Sequence, residues 1–231
     1  MQANNKKKLS FIHITKCAGT FIEDIGNLNN QTWGRHHKEY GWWHEIFIKK
    51  PLKLKEKYDW FVIVRNPYTR ILSEYYCQWG GINHRLCKNV KNIKNNKDFN
   101  DFLIERIKKR KLDGDHYTEQ YKYIDENIDI NIIKFENINT ALQVLFDEYN
   151  ININVSDYNK RNTKEYINKT NILPYTVDNF NEELITLINT VYDKDFQLFG
   201  YNKKEIKKPK ELQVNGQNKK IHLKKMYMLC K

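Results

Sequence analysis

Glycine and proline are scarce in this 231-residue chain, at nine and four, and only four cysteines occur. No GxxxxGK[ST] stretch is present, which excludes a Walker-type phosphate loop. The cysteines at 17, 77, 87 and 230 form no CxxC pair and have no histidines at zinc-finger spacing, so no metal site is expected. A Cys77–Cys87 bridge would need an oxidising compartment. Long apolar runs are also missing. The most apolar stretch, Trp60-Phe61-Val62-Ile63-Val64, has the length of a buried strand, whereas a spanning helix takes roughly 20 residues. The lysine-rich start, Met1 to Ser10, contains no apolar segment of secretory type. These absences lead us to expect a soluble, cytoplasmic protein with reduced thiols and no membrane anchor.

Hydrophobic residues make up 40% of the chain, with 15 Tyr, 11 Phe and 5 Trp, enough for one substantial core. The net charge of +12 raises the question of nucleic acid. Its distribution argues against that partner. Residues 202–231 hold ten Lys against Glu205 and Glu211, and Lys6, Lys7 and Lys8 add three more, leaving the body close to neutral. A protein that tracks phosphates carries its lysines on the folded face. The expected organisation is therefore a basic tail over 1–8, one domain over 9–201 and a lysine-rich tail over 202–231.

Along the body, Leu9–Ile14, Trp60–Arg65 and Ile130–Phe135 read as buried strands. Helical periodicity follows each: 20–28, then Pro67 through Trp79 up to Gly80-Gly81, and 140–149. Residues 29–50 read as loop with short helical pieces and 82–97 as a surface excursion. Asp98–Lys109 and Val177–Tyr192 read as further helices. Strands alternating with helices predict an α/β fold with a mainly parallel sheet.

Two segments carry the chemistry. HITKCAGTFIE (13–23) leaves a strand, turns tightly and enters a helix, a geometry that aims backbone N–H groups at an anion; Lys16 adds a charge and Thr20 a hydroxyl. FVIVRNPYTRILSEYY (61–76) places Arg65 at the C-terminal end of a strand and Ser73 on the following helix, where α/β sheets collect ligands. Together they offer two anion sites.

This pair resembles the two cofactor motifs of the sulfotransferases that use 3′-phosphoadenosine 5′-phosphosulfate (PAPS). It is most similar to the carbohydrate-type branch that includes the heparan sulfate 2-O-sulfotransferases. VRNPYTRILSEY is nearly complete. In the first motif Thr15 stands where proline is usual, and Cys17, Ala18 and Phe21 replace Thr, Gly and Ser. HYTEQYKYI (116–124), IIKFENI (132–138) and VYDKDFQLFGY (191–201) extend the resemblance in order over about 9–201. It implies a three-layer fold like that of the P-loop nucleoside-triphosphate hydrolases. It also implies transfer of a sulfuryl group to an acceptor hydroxyl, on a carbohydrate in that branch, with 3′-phosphoadenosine 5′-phosphate (PAP) as product.

By the same resemblance, residues 15–21 (Thr15, Lys16, Cys17, Ala18, Gly19, Thr20, Phe21) form the phosphosulfate loop. Lys16 stabilises the departing oxygen, and Arg65 and Ser73 hold the 3′-phosphate, with Arg161 beside Lys160 as an outlying contributor. Cys17 is given no chemical role. The acceptor hydroxyl needs a base, and His is the usual supplier near neutral pH. His44 in GWWHEI fits the family's placement between the two motifs. His36, His37, Glu45 and Glu23 are alternatives, and His116 with Gln120 either faces the acceptor or packs. Trp33, Tyr40, Trp42 and Trp43 are read equally as acceptor-site wall or local core. Two rival readings stay open: a P-loop kinase, which would want Walker glycines and a Mg²⁺ carboxylate, and a degenerate module binding polyanions through the lysine tail.

Overall fold

The computed structural model describes residues 6–77, 93–112, 114, 116–158 and 174–206. The helix end expected at Gly80-Gly81, most of the 82–97 excursion, Cys87, Lys160, Arg161 and nearly all of the C-terminal tail lie outside them.

Three parallel strands form the sheet in the order β1-β2-β3: β1 (Leu9–Ile12), β2 (Asp59–Val64) and β3 (Ile130–Lys134). Phe11 pairs with Phe61, and Val62 with Ile132. The central strand reads apolar throughout because it is covered on both faces: Trp60 through Val64 are all fully buried. Each strand feeds a helix, α1 (Gly19–Leu28), α3 (Pro67–Tyr75) and α5 (Ile138–Glu148). A short α2 (Leu52–Lys57) precedes β2; nothing in the sequence pattern anticipated it.

Pro67 opens α3 at the position that needs no backbone donor, and the Asn66 side chain caps it by accepting from the Tyr68 amide at 3.0 Å. Further on lie α4 (Asn96–Lys108), α6 (Glu182–Val191) and α7 (Asp193–Phe199), the last closed by Gly200 in the left-handed conformation. The single helix expected over 177–192 is corrected. Val177–Asn179 is a 3-10 turn, Phe180 is extended, and Asn181 starts a fresh helix by accepting from the Leu184 amide. An Asn side chain offers the backbone this cap in place of continued helix. The strands also end earlier than expected, so His13, Ile14 and Arg65 belong to the connections beyond their C-termini.

The core has two parts. One lies around the sheet, where the Phe61 ring meets Phe11 at 5.0 Å, Trp33 at 5.2 Å and Phe146 at 6.3 Å. The other joins α3, α4, α6 and α7 through Ile71, Tyr75, Leu103, Leu184, Ile188 and Phe196. The structure is thus mixed α/β around a small parallel sheet, and the connections leaving β1 and β2 meet between these two clusters. Because Phe61 sits at the centre of an aromatic lattice, Phe61→Ala is expected to cost about 3–5 kcal/mol of stability, read by urea unfolding.

Candidate functional site

The connection after β1 turns on two residues in the left-handed region, Lys16 at φ 60° and Ala18 at φ 62°. Non-glycine residues pay strain there and hold it only where surroundings enforce it. The enforcement is visible: the Cys17 amide donates to the Ile14 carbonyl at 3.3 Å, and the Ile22 amide to the Ala18 carbonyl at 3.1 Å. Ala18 is the N-cap of α1 and supplies no side-chain acceptor, so the first-turn N–H groups have no side-chain cap. Alternating conformations at a helix start form a concavity of amides that suits an anion. Lys16 is half-buried beside it, and its ammonium makes no hydrogen bond or ion pair with any described residue. Gly19 follows directly; a Cβ there would lie 2.1 Å from Nε2 of His13, so this close approach admits only glycine.

The loop is fastened from below by Arg70, which is fully buried. Its Nε donates to the Thr15 carbonyl at 3.0 Å, its Nη2 to the Thr15 hydroxyl at 3.0 Å, and its Nη1 to the Thr118 carbonyl at 2.8 Å. The Thr15 hydroxyl in turn donates to Oε1 of Glu74 at 2.8 Å. The other Glu74 oxygen meets Nδ1 of His116 at 2.6 Å. Glu74 is fully buried, which on its own would favour the neutral acid. His116, Arg70 and Lys16 outweigh that desolvation and bring its pKa down from 4.5 to about 2.

Gln120 joins the two connections. Its Oε1 accepts from the Arg65 amide at 2.8 Å and from the Cys17 thiol at 3.3 Å, while its Nε2 donates to the Arg65 carbonyl at 2.8 Å. Asp195 holds it by accepting from the amides of Gln120 and Tyr121. Cys17 is wholly buried, and desolvation pushes its pKa up to about 12, so it is a packed thiol and not a nucleophile. Arg65 stacks on the Phe135 ring at 4.2 Å. Its Nε donates to the Thr69 hydroxyl at 3.1 Å and its Nη1 to the Lys16 carbonyl at 3.3 Å, leaving Nη2 uncommitted among the described residues. Ser73 lies one turn beyond Thr69 on the same face of α3 and is half-buried.

Three imidazoles converge beside the loop. His44 lies 5.1 Å from His13 and 6.0 Å from His116, measured between ring centroids, with Trp43 packed on it at 3.6 Å. His13 also has a buried carboxylate partner, Oε1 of Glu23 at 2.7 Å. Glu23 further accepts from the Arg35 amide, and these partners hold its pKa below the ordinary value against its burial.

Of the residues singled out in the sequence, Arg65 bonds to the Lys16 carbonyl and both Gly19 and His44 lie against His13, while Thr20 and Ser73 are half-buried on α1 and α3. Others are committed elsewhere. The Thr15 hydroxyl and carbonyl serve Glu74 and Arg70, and the Phe21 side chain is in the core. His37 is buried among Tyr58, Trp60 and Tyr40, and that burial lowers its pKa. His36 accepts from Nε of Arg35, and Glu45 pairs with Lys50. The aromatic group divides: Trp33 and Tyr40 are core, Trp43 covers His44, and Trp42 is 57% exposed. Sequence reasoning missed His13, Glu74 and the clamping role of Arg70. Their partners are 10 to 59 positions away, so no local spacing announces them. Among the described residues, Glu74, Cys77 and His116 also bring three possible metal-ligand atoms within 4.8 Å of one another.

Compared with known proteins, residues 2–202 match the family model described as the sulfotransferase family. No curated protein and no solved structure matches.

Two outcomes follow from the loop's fastening. Gly19→Ala should displace His13 or the start of α1, and thermal unfolding should record a loss of stability. For Glu74 the native pKa lies below the unfolded one, so its contribution is complete above pH 4.5 and fades as pH falls through about 2. Glu74→Gln should therefore lower stability at neutral pH and flatten the stability–pH curve between those limits, as read by urea unfolding at a series of pH values.

Proposed function

Because the chain belongs to the sulfotransferase family, we propose that it moves the sulfuryl group of PAPS to an acceptor hydroxyl, with a carbohydrate as the acceptor class. The fold we assign to it is the P-loop-like three-layer arrangement in which the parallel sheet carries its donor site at the C-terminal strand ends. One observation carries the reading: two cation-bearing connections, 15–21 and 65–73, are fastened to each other with an uncommitted cationic group on each. The Lys16 ammonium makes no hydrogen bond or ion pair among the described residues, acting on Glu74 only at a distance, and Arg65 keeps Nη2 to spare there.

These residues fit a donor with two anionic ends. The concavity around Lys16, Gly19 and Thr20 suits the 5′-phosphosulfate, with Lys16 neutralising charge on the bridging oxygen as the S–O bond breaks. Arg65 and Ser73 suit the 3′-phosphate, the group that separates this donor from ordinary nucleotides. Ala18 and Cys17 contribute backbone to the loop, and Arg161 is kept as a proposed contributor to the donor site.

Sulfuryl transfer resembles phosphoryl transfer in that the charge is spread over equatorial oxygens and the protein works by positioning and electrostatics. Arg70 and Gln120 do the positioning, since they fix the loop and the β2 end relative to one another. An imidazole takes the acceptor proton. His44 is the one expected from sequence, at the centre of the cluster, beside Trp42 and Trp43 as a surface on which a sugar face can stack.

Thermal unfolding with PAP, ADP and ATP–Mg²⁺ tests the donor. PAP at one hundred times its dissociation constant should stabilise by about 2.7 kcal/mol, and Arg65→Ala should abolish most of the preference for PAP over ADP. A preference for ATP–Mg²⁺ would overturn the reading in favour of a kinase. Silence from all three nucleotides would leave the polyanion-binding module.

A further inference from the structure

We propose that Glu74, Cys77 and His116 form a binding site for a divalent ion of the zinc class, next to the loop that carries Lys16. Glu74 and Cys77 lie at and just beyond the end of α3, where the Cys77 amide donates to the Glu74 carbonyl at 3.0 Å. This turn brings both side chains to His116, and one ligand atom from each of the three lies within 4.8 Å of the others. Among the described residues no other three histidine, cysteine or carboxylate side chains are grouped in this way.

The donor set selects the ion. A thiolate, an imidazole and a carboxylate suit zinc and cobalt, whereas magnesium and calcium take oxygen ligands. The thiolate and the carboxylate each carry one negative charge, so the ion is neutralised by its own ligands. That balance matters because Arg70 is buried nearby. Its side chain donates to Thr15 and Thr118, which leaves the Glu74 oxygens for Thr15 and the ion.

Little adjustment is needed. Nδ1 of His116 and Oε2 of Glu74 are 2.6 Å apart, and ligand atoms on a tetrahedral zinc ion are separated by about 3.3 Å, so an ion seated among imidazole, carboxylate and thiol spreads that pair by less than about 1 Å. The opposite Glu74 oxygen accepts from the Thr15 hydroxyl at 2.8 Å, the kind of second layer that orients a ligating carboxylate. Glu74 and Cys77 are buried, while the His116 side chain is 15% exposed and gives the ion its entrance. The thiol proton passes to solvent as the thiolate binds, and a water completes the coordination.

The bound ion ties the end of α3 to the His116 segment and, through Glu74, to Thr15 at the start of the loop. Local spacing hides such a site, since His116 is 42 positions from Glu74. The ion binds whether or not PAP does.

The test uses the full chain, stripped with a chelator, and metal alone as the probe. One zinc ion per chain should survive gel filtration and raise the melting temperature; magnesium should do neither. Cobalt(II) should give the visible bands of a tetrahedral ion together with a thiolate-to-cobalt charge-transfer band. Cys77→Ser should remove that band and weaken zinc binding by at least about a hundredfold, and Thr15→Val should weaken it about tenfold. If Cys77→Ser fails to fold, the wild-type chain still decides, because zinc should slow alkylation of Cys77 by iodoacetamide about tenfold or more. Loss of all zinc on gel filtration, a charge-transfer band that persists in Cys77→Ser, or Cys77 alkylation indifferent to zinc overturns the site. Such a result leaves the sulfotransferase reading standing, since that is judged by the response to PAP in metal-free buffer.

Discussion

A single buried guanidinium holds the proposed active region together. Arg70 has no exposure to solvent, and its side chain donates hydrogen bonds to Thr15 and Thr118, which flank the loop and the His116 segment. Taking such a charge out of water is costly, and it is tolerated because each of its three nitrogens donates to an oxygen and Glu74 supplies the opposite charge nearby. The same neutralisation keeps Glu74 ionised. Removal of either partner leaves the other buried and uncompensated, so Arg70, Glu74 and Thr15 stand or fall as a unit.

From that unit the rest follows in layers. The loop can hold Lys16 and Ala18 in a strained conformation because Arg70 grips Thr15 and because Gly19 lets the chain lie against the His13 ring. Gln120, set in place by Asp195, copies the end of β2 onto the same frame, so that Arg65 and Lys16 are mutually fixed before any ligand arrives. Preorganised charge of this kind does not have to reorganise during transfer, which is where electrostatic catalysis gains most. Among the described residues, those of the lysine-rich tails make no hydrogen bond to this frame.

The sequence made the outline of this arrangement readable and hid its fastening. Three largely apolar runs, each followed by helical periodicity, were enough to place the parallel strands; the central one is apolar from Trp60 to Val64 because it is covered on both faces, whereas β1 carries Ser10 and β3 carries Asn131 and Lys134. The Asn66-Pro67 break and the Lys16-to-Thr20 turn were local signals and gave the two connections proposed to hold the donor. The His13–Glu23 and Glu74–His116 pairs were not readable, since each depends on which element packs against which. In the sequence Arg70 is a cation between Arg65 and Ser73 with no local signal to set it apart; only burial separates a clamp from a ligand-facing arginine. The helix expected over 177–192 failed for a different reason: its hydrophobic periodicity runs through a capping asparagine whose side chain restarts the helix at Glu182.

The most direct test of the central claim is a crystal structure of the chain with PAP. The 5′-phosphate is expected at the amides of Gly19 and Thr20 beside Lys16, and the 3′-phosphate at Arg65 and Ser73, with Thr15, Arg70 and Glu74 unmoved. A PAP molecule bound with its 3′-phosphate away from Arg65, or a loop that must abandon its hold on Arg70 to receive the ligand, would contradict it.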